Sequence, residues 1–162
     1  MPAVVNELVT AVTLCWISFM CNAIYYLTYT SKITLLGAIN PFTFKTIEQI
    51  SRQNNNAQHI TGFLLFKNGH FFQYLEGDKA LVTHLYQDLL KDYRHKNLKI
   101  ITEGHREQPR FKKWDMYCID IDKDVNNLSI SRLFQAFNPT DWQSSEVNEL
   151  ITDMQTQHHK NN

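Results

Sequence analysis

The sequence predicts an α+β fold, a ferredoxin-like βαββαββ sandwich with two additional C-terminal helices. Three observations predict it. Short runs of apolar, β-branched and aromatic residues alternate with two helical apolar stripes, a tight-turn signal joins the second and third runs, and two further helical stripes follow the last run. Helices that pass over a sheet in this order cover one of its faces and leave the other open. The 162 residues suffice for one compact domain, or a domain of about 100 residues with an extension, and fall short of a large multidomain enzyme.

The opening is quiet in charge. Glu7 is the only Asp, Glu, Lys or Arg before Lys32, and the uncharged run Leu8 to Ser31 exceeds the ~20 apolar residues that span a bilayer. Thr10, Thr13, Ser18, Asn22, Thr28 and Thr30 interrupt it, and Ile24-Tyr25-Tyr26-Leu27-Thr28-Tyr29-Thr30 has strand composition. A secretory signal would carry Lys or Arg near Met1, and none is there, although Cys21-Asn22-Ala23 offers small residues for cleavage. The segment therefore divides into an apolar extension, residues 1–22, and a first strand that ends at Tyr29.

After a loop around Asn40-Pro41, Phe44, Ile47, Ile50 and Ser51 mark one face of a helix ending near Gln53 to Asn56. Ile60 to Phe66 and His70 to Leu75 flank the turn signal Lys67-Asn68-Gly69 and read as a hairpin. Glu76-Gly77-Asp78 breaks the strand, and Leu81, Leu85 and Leu89, with Val82, Tyr86 and Leu90, stripe a second helix that stops near Asp92 to His95. Leu98 to Thr102 and Met116 to Ile121 read as strands separated by the basic loop Arg106 to Lys113. The sandwich domain is expected over 23–121 and a two-helix tail over 122–162. In the tail, Ile130, Leu133, Phe134 and Phe137 stripe a helix Ser129 to Asn138, and Val147, Leu150, Ile151 and Met154 stripe another, Ser145 to Gln155. The free face of the sheet is the surface these helices are expected to cover, with the polar end Gln155 to Asn162 frayed.

Composition narrows the function classes. Sixteen basic residues balance sixteen acidic ones, without the positive excess expected of a protein that grips nucleic acid. With 43% hydrophobic and 20% charged residues, neither disorder nor a multi-span membrane protein fits. Cys15, Cys21 and Cys118 are odd in number and form no CxxC pair, so no disulfide framework or metal site is indicated, and a reducing cytoplasm is the expected location. No GxGxxG, GxxxxGK, GxSxG or HExxH occurs. What stands out is polarity among apolar residues. Gln73 lies inside Phe71-Phe72-Gln73-Tyr74-Leu75, where a primary amide finds partners or costs ~1 to 3 kcal/mol. From periodicity alone, Gln73 either faces solvent or serves a site, Tyr29 either caps the core or serves the same site, and Asn54-Asn55-Asn56 is a helix-end feature.

Together these residues resemble a known family. Tyr29-Thr30-Ser31, Asn54-Asn55, Ile60-Thr61-Gly62, Phe72-Gln73 with Leu75-Glu76-Gly77, Asp92-Tyr93-Arg94-His95, and Arg110-Phe111 before Trp114-Asp115-Met116 are similar, in order, to the signature of the BLUF photoreceptors, which sense blue light using flavin. The resemblance covers roughly Ala23 to Ile119. It implies an FAD-binding domain with the isoalloxazine ring between the two helices. It places Asn55, with Asn54 close by, on the flavin C4=O and N3–H edge, Gln73 between flavin and Tyr29, and Asp92, Arg94 and His95 near the flavin. Tyr29 is then the electron and proton donor to the excited flavin, and Gln73 rotates, tautomerises or does both, with no net turnover. Trp114 and Met116 are similar to a pair that exchanges places beside the glutamine; equally, Trp114 anchors the core and Met116 fills a gap. For Arg94, a solvated charge at a helix end is the plainer reading.

The resemblance implies a light sensor without a fused enzyme, since only about 40 residues follow Ile121, acting on a downstream signalling protein and forming a homo-oligomer, with no direct nucleic-acid binding. The sequence departs from the family at a longer loop after Tyr29, at Asp88 where some relatives carry a basic flavin contact, and over Met1 to Phe19. Met20 lies about where short relatives begin, so residues 1–19 are either upstream sequence read from an early start or an apolar helix that docks on the domain or a membrane. Two readings from other classes stand beside this one. Phe71, Phe72 and Tyr74 on an open sheet faintly resemble an RNA-recognition module, and a flavin-dependent redox enzyme would need a substrate site that the sequence does not display.

Overall fold

The computed structural model of the chain describes residues 23–39, 43–111, 116–122 and 137–160, with side chains at all of these except 39, 43, 44, 54–56 and 157–160. The extension 1–22 with Cys15 and Cys21, Trp114, and most of the expected helix Ser129 to Asn138 lie outside the described residues. The elements are β1 (Ile24–Ile33), α1 (Leu35–Ile39), α2 (Thr43–Ala57), β2 (Thr61–Lys67), β3 (His70–Gly77), α3 (Lys79–Lys91), β4 (His95–Arg106), β5 (Met116–Asp120) and α4 (Ser144–Lys160). The five strands form one sheet in the order β4-β1-β3-β2-β5. β1 pairs antiparallel with β3 and β4, β2 antiparallel with β3, and β5 runs parallel to β2. This is the ferredoxin-like α+β arrangement with a fifth strand added beside β2.

Local chemistry fixes these elements. The β2–β3 hairpin turns at Asn68 and Gly69, both left-handed with φ of 49° and 74°, which is the pair of conformations a two-residue hairpin turn requires and that Asn-Gly adopts most readily. Gly62 has φ of 149° and a Cβ there would lie 1.9 Å from the Tyr74 carbonyl oxygen, so only glycine fits where β2 crosses β3. Asp78 caps α3 by accepting from the amides of Ala80 and Leu81.

The structure corrects five boundaries. The largest is at β4, which runs from His95 to Arg106 and not only from Leu98 to Thr102, because it pairs with β1 from Ile33 to Ile24 and so takes in His95 and Arg106. β1 continues past Tyr29 to Ile33, because Tyr29 to Lys32 pair with Gln73 to His70 of β3. Glu76 and Gly77 belong to β3, since the Glu76 carboxylate is fully bonded inside the fold and the strand needs no break there. The last helix runs through Lys160 and does not fray at Gln155. Phe137 and Asn138 lie outside any helix, with the Asn138 side-chain amide donating to Asp141 in a turn. The short α1 was not expected from the sequence, being too brief for a periodic signal.

Alternation along the strands builds two cores. On one face Tyr25, Leu27, Tyr29, Leu64, Phe71, Leu75 and Met116 meet Ile47 of α2 and Val82 of α3. On the other, Phe63, Leu65, Phe72, Tyr74, Phe111 and Ile119 meet Val147, Leu150, Ile151 and Met154 of α4, with Phe137 and Trp142 at the edge. Among the described residues, α4 thus covers the face that α2 and α3 leave free. Phe72 and Tyr74 are completely buried beneath it, which removes the open stacking surface that an RNA-recognition reading requires.

Candidate functional site

Tyr29 and Gln73 are direct cross-strand partners on β1 and β3, and period-two alternation points both toward the α2–α3 face. The Tyr29 hydroxyl donates to Gln73 Oε1. Gln73 Nε2 in turn lies 3.4 Å from Met116 Sδ on β5. Tyr29 is 1% exposed, Gln73 3% and Met116 1%, so a polar series crosses the sheet without solvent. Burial pushes the Tyr29 phenol well above its ordinary value, with smaller contributions from Tyr86, Asp92 and Cys118, and it keeps its proton. Tyr86 of α3 packs edge-on to Tyr29, with ring centroids 5.6 Å apart. Burial likewise pushes the Cys118 thiol up to about 12, which holds it as the neutral, weakly nucleophilic form.

A cleft of about 200 Å³ opens between α2 and α3. Its apolar walls are Ile47 and Ile50 from α2 and Leu85 and Leu89 from α3; Ser51, Gln58, Asp88, Asp92, Arg94 and His95 supply its polar groups. Asp92 closes α3 and folds back on itself. Its carboxylate accepts from the Arg94 backbone amide and from the Arg94 guanidinium. Burial alone would raise the Asp92 carboxyl, but these bonds outweigh it and hold it below the usual range. The turn is tied to the end of β1, where the Thr34 amide donates to the Arg94 carbonyl and the Thr34 hydroxyl to the Tyr93 carbonyl.

His95 begins β4 with Nδ1 3.1 Å from the Ser31 hydroxyl, and its ring lies against Phe71 at 4.7 Å between centroids. Burial depresses its pKa to about 4, with Asp92 opposing and Arg94 reinforcing the shift, so the ring is neutral at pH 7. Its Nε2 is buried without a hydrogen-bond partner, and so is Gln58 Oε1 on the same cleft. Two orphaned polar atoms in a slot of apolar walls and polar rim suit a planar heteroaromatic group with donors and acceptors on its edge, and a flavin ring has that character.

Of the residues expected from the sequence, Tyr29, Gln73 and Met116 come together in one hydrogen-bonded series, and Asp92, Arg94 and His95 share the cleft wall. Asn54 and Asn55 fall on the last turn of α2, their side chains outside the described set, as is Trp114. The Arg94 guanidinium is paired and half-buried, not a solvated charge. Sequence reasoning missed Gln58, the Ser31 bond to His95 and the Tyr86 edge contact; Gln58 sits in a turn, where no periodicity marks which way a side chain faces. Among the described residues no group of three His, Cys, Asp or Glu side chains is placed to hold a metal, and no helix is long and apolar enough to cross a membrane.

Comparison with known proteins bears on this site. The sequence profile of the family described as BLUF, sensors of blue-light using FAD, matches residues 24–117, more than half the chain. The blue light- and temperature-regulated antirepressor BluF of Escherichia coli is 35% identical over 80 residues, covering 48% of this chain and 20% of that protein. A bacterial light-regulated adenylyl cyclase superposes with a TM-score of 0.64 at 32% identity, over 78% of this chain and 36% of that one. The dark state of BlrB, a BLUF protein, superposes with a TM-score of 0.70 at 26% identity, over 83% of this chain and 97% of that one. This chain therefore spans only a minor part of the antirepressor and the cyclase.

Proposed function

The chain belongs to the BLUF family and carries a flavin-binding, blue-light-sensing domain, and on that premise we propose that it binds FAD and converts light into a rearranged hydrogen-bond network at Tyr29 and Gln73 that alters its association with a partner protein. The single observation that carries this reading is the buried series from Tyr29 through Gln73 to Met116. Ile47, Ile50, Leu85 and Leu89 would sandwich the ring; His95, Asp92, Arg94, Asn54 and Asn55 would hold its polar edge, an amide being suited to a rim that carries both donor and acceptor. Bound flavin supplies the absorption of blue light and, once excited, an electron acceptor.

The remaining steps belong to the chain. Tyr29 is neutral and desolvated, so releasing an electron and a proton together leaves no buried charge behind. Its hydroxyl already points at Gln73 Oε1, so the amide can take that proton at oxygen while giving up one of its own from Nε2 towards the electron acceptor, and remains neutral. Gln73 holds its NH2 only against a thioether, a weak acceptor, so a turn or tautomerisation of the amide sacrifices little and lets it donate elsewhere. Met116 then loses its partner, and β5, which carries it at the edge of the sheet, is the element that registers the change. Trp114, just before β5, is the expected companion of Met116 in that relay.

Relatives are named as a blue light- and temperature-regulated antirepressor and as a light-regulated adenylyl cyclase. For this chain the proposed output is a light-dependent change in contact with a downstream signalling protein, made by a homo-oligomer in the cytoplasm, with the tail face as relay. The domain is proposed as residues 23–121, between an apolar extension, 1–22, and the tail, 122–162. The test is an absorption spectrum of purified, flavin-loaded protein before and after blue light. A reversible shift to longer wavelength is expected, lost in Tyr29→Phe and in Gln73→Leu with flavin retained. Flavin-loaded wild type that shows no shift would overturn the function, and a photocycling Gln73→Leu would overturn the role given to the amide.

A further inference from the structure

Two walls of the cleft each carry a buried polar atom that nothing in the chain satisfies. His95 Nε2 is one and already has a role in the cofactor reading; Gln58 Oε1 is the other and has none. Gln58 occupies the turn between α2 and β2, followed by His59 with φ of 55° and by the fully buried Ile60, which fix the backbone from which its side chain leaves. A long carboxamide at a surface turn can place its polar end in water. Here the carbonyl oxygen is instead withdrawn from solvent on the cleft wall that Ile47, Ile50 and Ser51 share.

A buried acceptor without a partner has lost its hydration and gained nothing in exchange, which native folds tolerate where a ligand completes the bond. A carboxamide oxygen only accepts, so its complement is an N–H or an O–H. We infer that Gln58 is a flavin-contacting residue whose carbonyl oxygen accepts from an N–H or O–H of the cofactor, and that it sets the affinity of the cleft for flavin. This rests on the reading that the cleft holds a flavin. The riboflavin portion of the cofactor, the part this cleft would take, offers two kinds of donor, the ring N–H and the hydroxyls of the ribityl chain.

Equilibrium binding of riboflavin and of lumiflavin, which lacks the hydroxylated chain, tests this by fluorescence quenching in wild type, Gln58→Met and Gln58→Glu. Met keeps the length of the side chain and deletes the acceptor, so Gln58→Met should bind riboflavin about tenfold more weakly, with a flavin-free melting temperature no lower than wild type. Gln58→Glu retains acceptor oxygens and should recover part of the loss. A loss shared by both flavins assigns the ring N–H as donor, and a loss confined to riboflavin assigns a hydroxyl. Wild-type affinity for riboflavin in Gln58→Met would overturn the role of Gln58 and leave the cofactor reading standing. Wild-type protein that bound neither flavin would overturn the cofactor reading and this inference with it.

Discussion

The two faces of the sheet differ in where their buried polar atoms lie. On the tail side Glu76 is 1% exposed, and its carboxylate accepts from the Thr61 hydroxyl at 3.1 Å, the Tyr74 hydroxyl at 2.7 Å, and the backbone amides of Arg110 at 3.0 Å and Phe111 at 2.7 Å. Around it the aromatic core is closed by α4, where Val147, Leu150, Ile151 and Met154 have no exposed surface. On the α2–α3 side Gln58 Oε1 and His95 Nε2 bond to nothing and line a cleft. Arg106 Nε and Arg110 Nη1, beside Tyr26 and Glu76 on the tail side, are likewise buried without a hydrogen-bond partner. What sets the α2–α3 side apart is therefore that its orphaned atoms line a cleft, where something that binds can complete them.

This contrast can be broken most forcefully from the tail side. Leu150→Ala removes a fully buried side chain and is expected to lower the stability of flavin-free protein by about 2–5 kcal/mol, read by urea denaturation, with flavin affinity preserved in protein that remains folded. A comparable loss of affinity would mean that the two faces are not separable. Glu76→Gln comes next. The amide turns an NH2 toward donors that need an acceptor, so a loss of about 3 kcal/mol is expected, accompanied by faster hydrogen exchange at the Arg110 and Phe111 amides.

The difference between the faces also explains what could be read from the sequence. The hairpin was legible because Asn68-Gly69 encodes its own turn, and α3 because Leu81, Leu85 and Leu89 repeat at helical spacing. The tail face was legible for the same reason, since Val147, Leu150, Ile151 and Met154 form a periodic stripe that needs a surface. Strand ends were less so. β1 runs on through Ser31 and Lys32 because β3 and β4 pair with it on both sides, and long-range pairing leaves no local mark. At the candidate site, Gln73 stood out as an amide within an aromatic run, whereas Gln58 and Ser31 are ordinary polar residues in ordinary positions. Only the fold withdraws them from solvent.

His95 offers a pH test of the open face, with an expected effect of up to about 3 kcal/mol. Its folded pKa of about 4 lies below the ordinary 6.5 because of burial. Between those values the unfolded chain binds a proton that the folded ring refuses, so the His95 contribution is fully favourable above about 6.5 and is lost as pH falls toward 4. His95→Gln, which does not titrate, should flatten the difference in flavin-free stability between pH 7.5 and pH 4.5 relative to wild type. An unchanged pH slope would show that the ring is not held neutral in the cleft wall.

The smallest expected effect is the one that most sharply separates the faces, because it reverses sign with ligand. Removing a bonded polar group from the tail side destabilises the protein under all conditions. Removing the orphaned oxygen in Gln58→Met relieves an unpaid desolvation and should stabilise flavin-free protein by about 1 kcal/mol. At a flavin concentration about 100 times the wild-type Kd, bound flavin adds about 2.7 kcal/mol to wild type, and a tenfold weaker variant receives about 1.4 kcal/mol less. The advantage of the variant without flavin is thereby cancelled when flavin is present. Thermal melts of both proteins with and without riboflavin in the dark measure that crossover, and a Gln58→Met variant that melts below wild type without flavin would place Gln58 with the scaffold and not with the site.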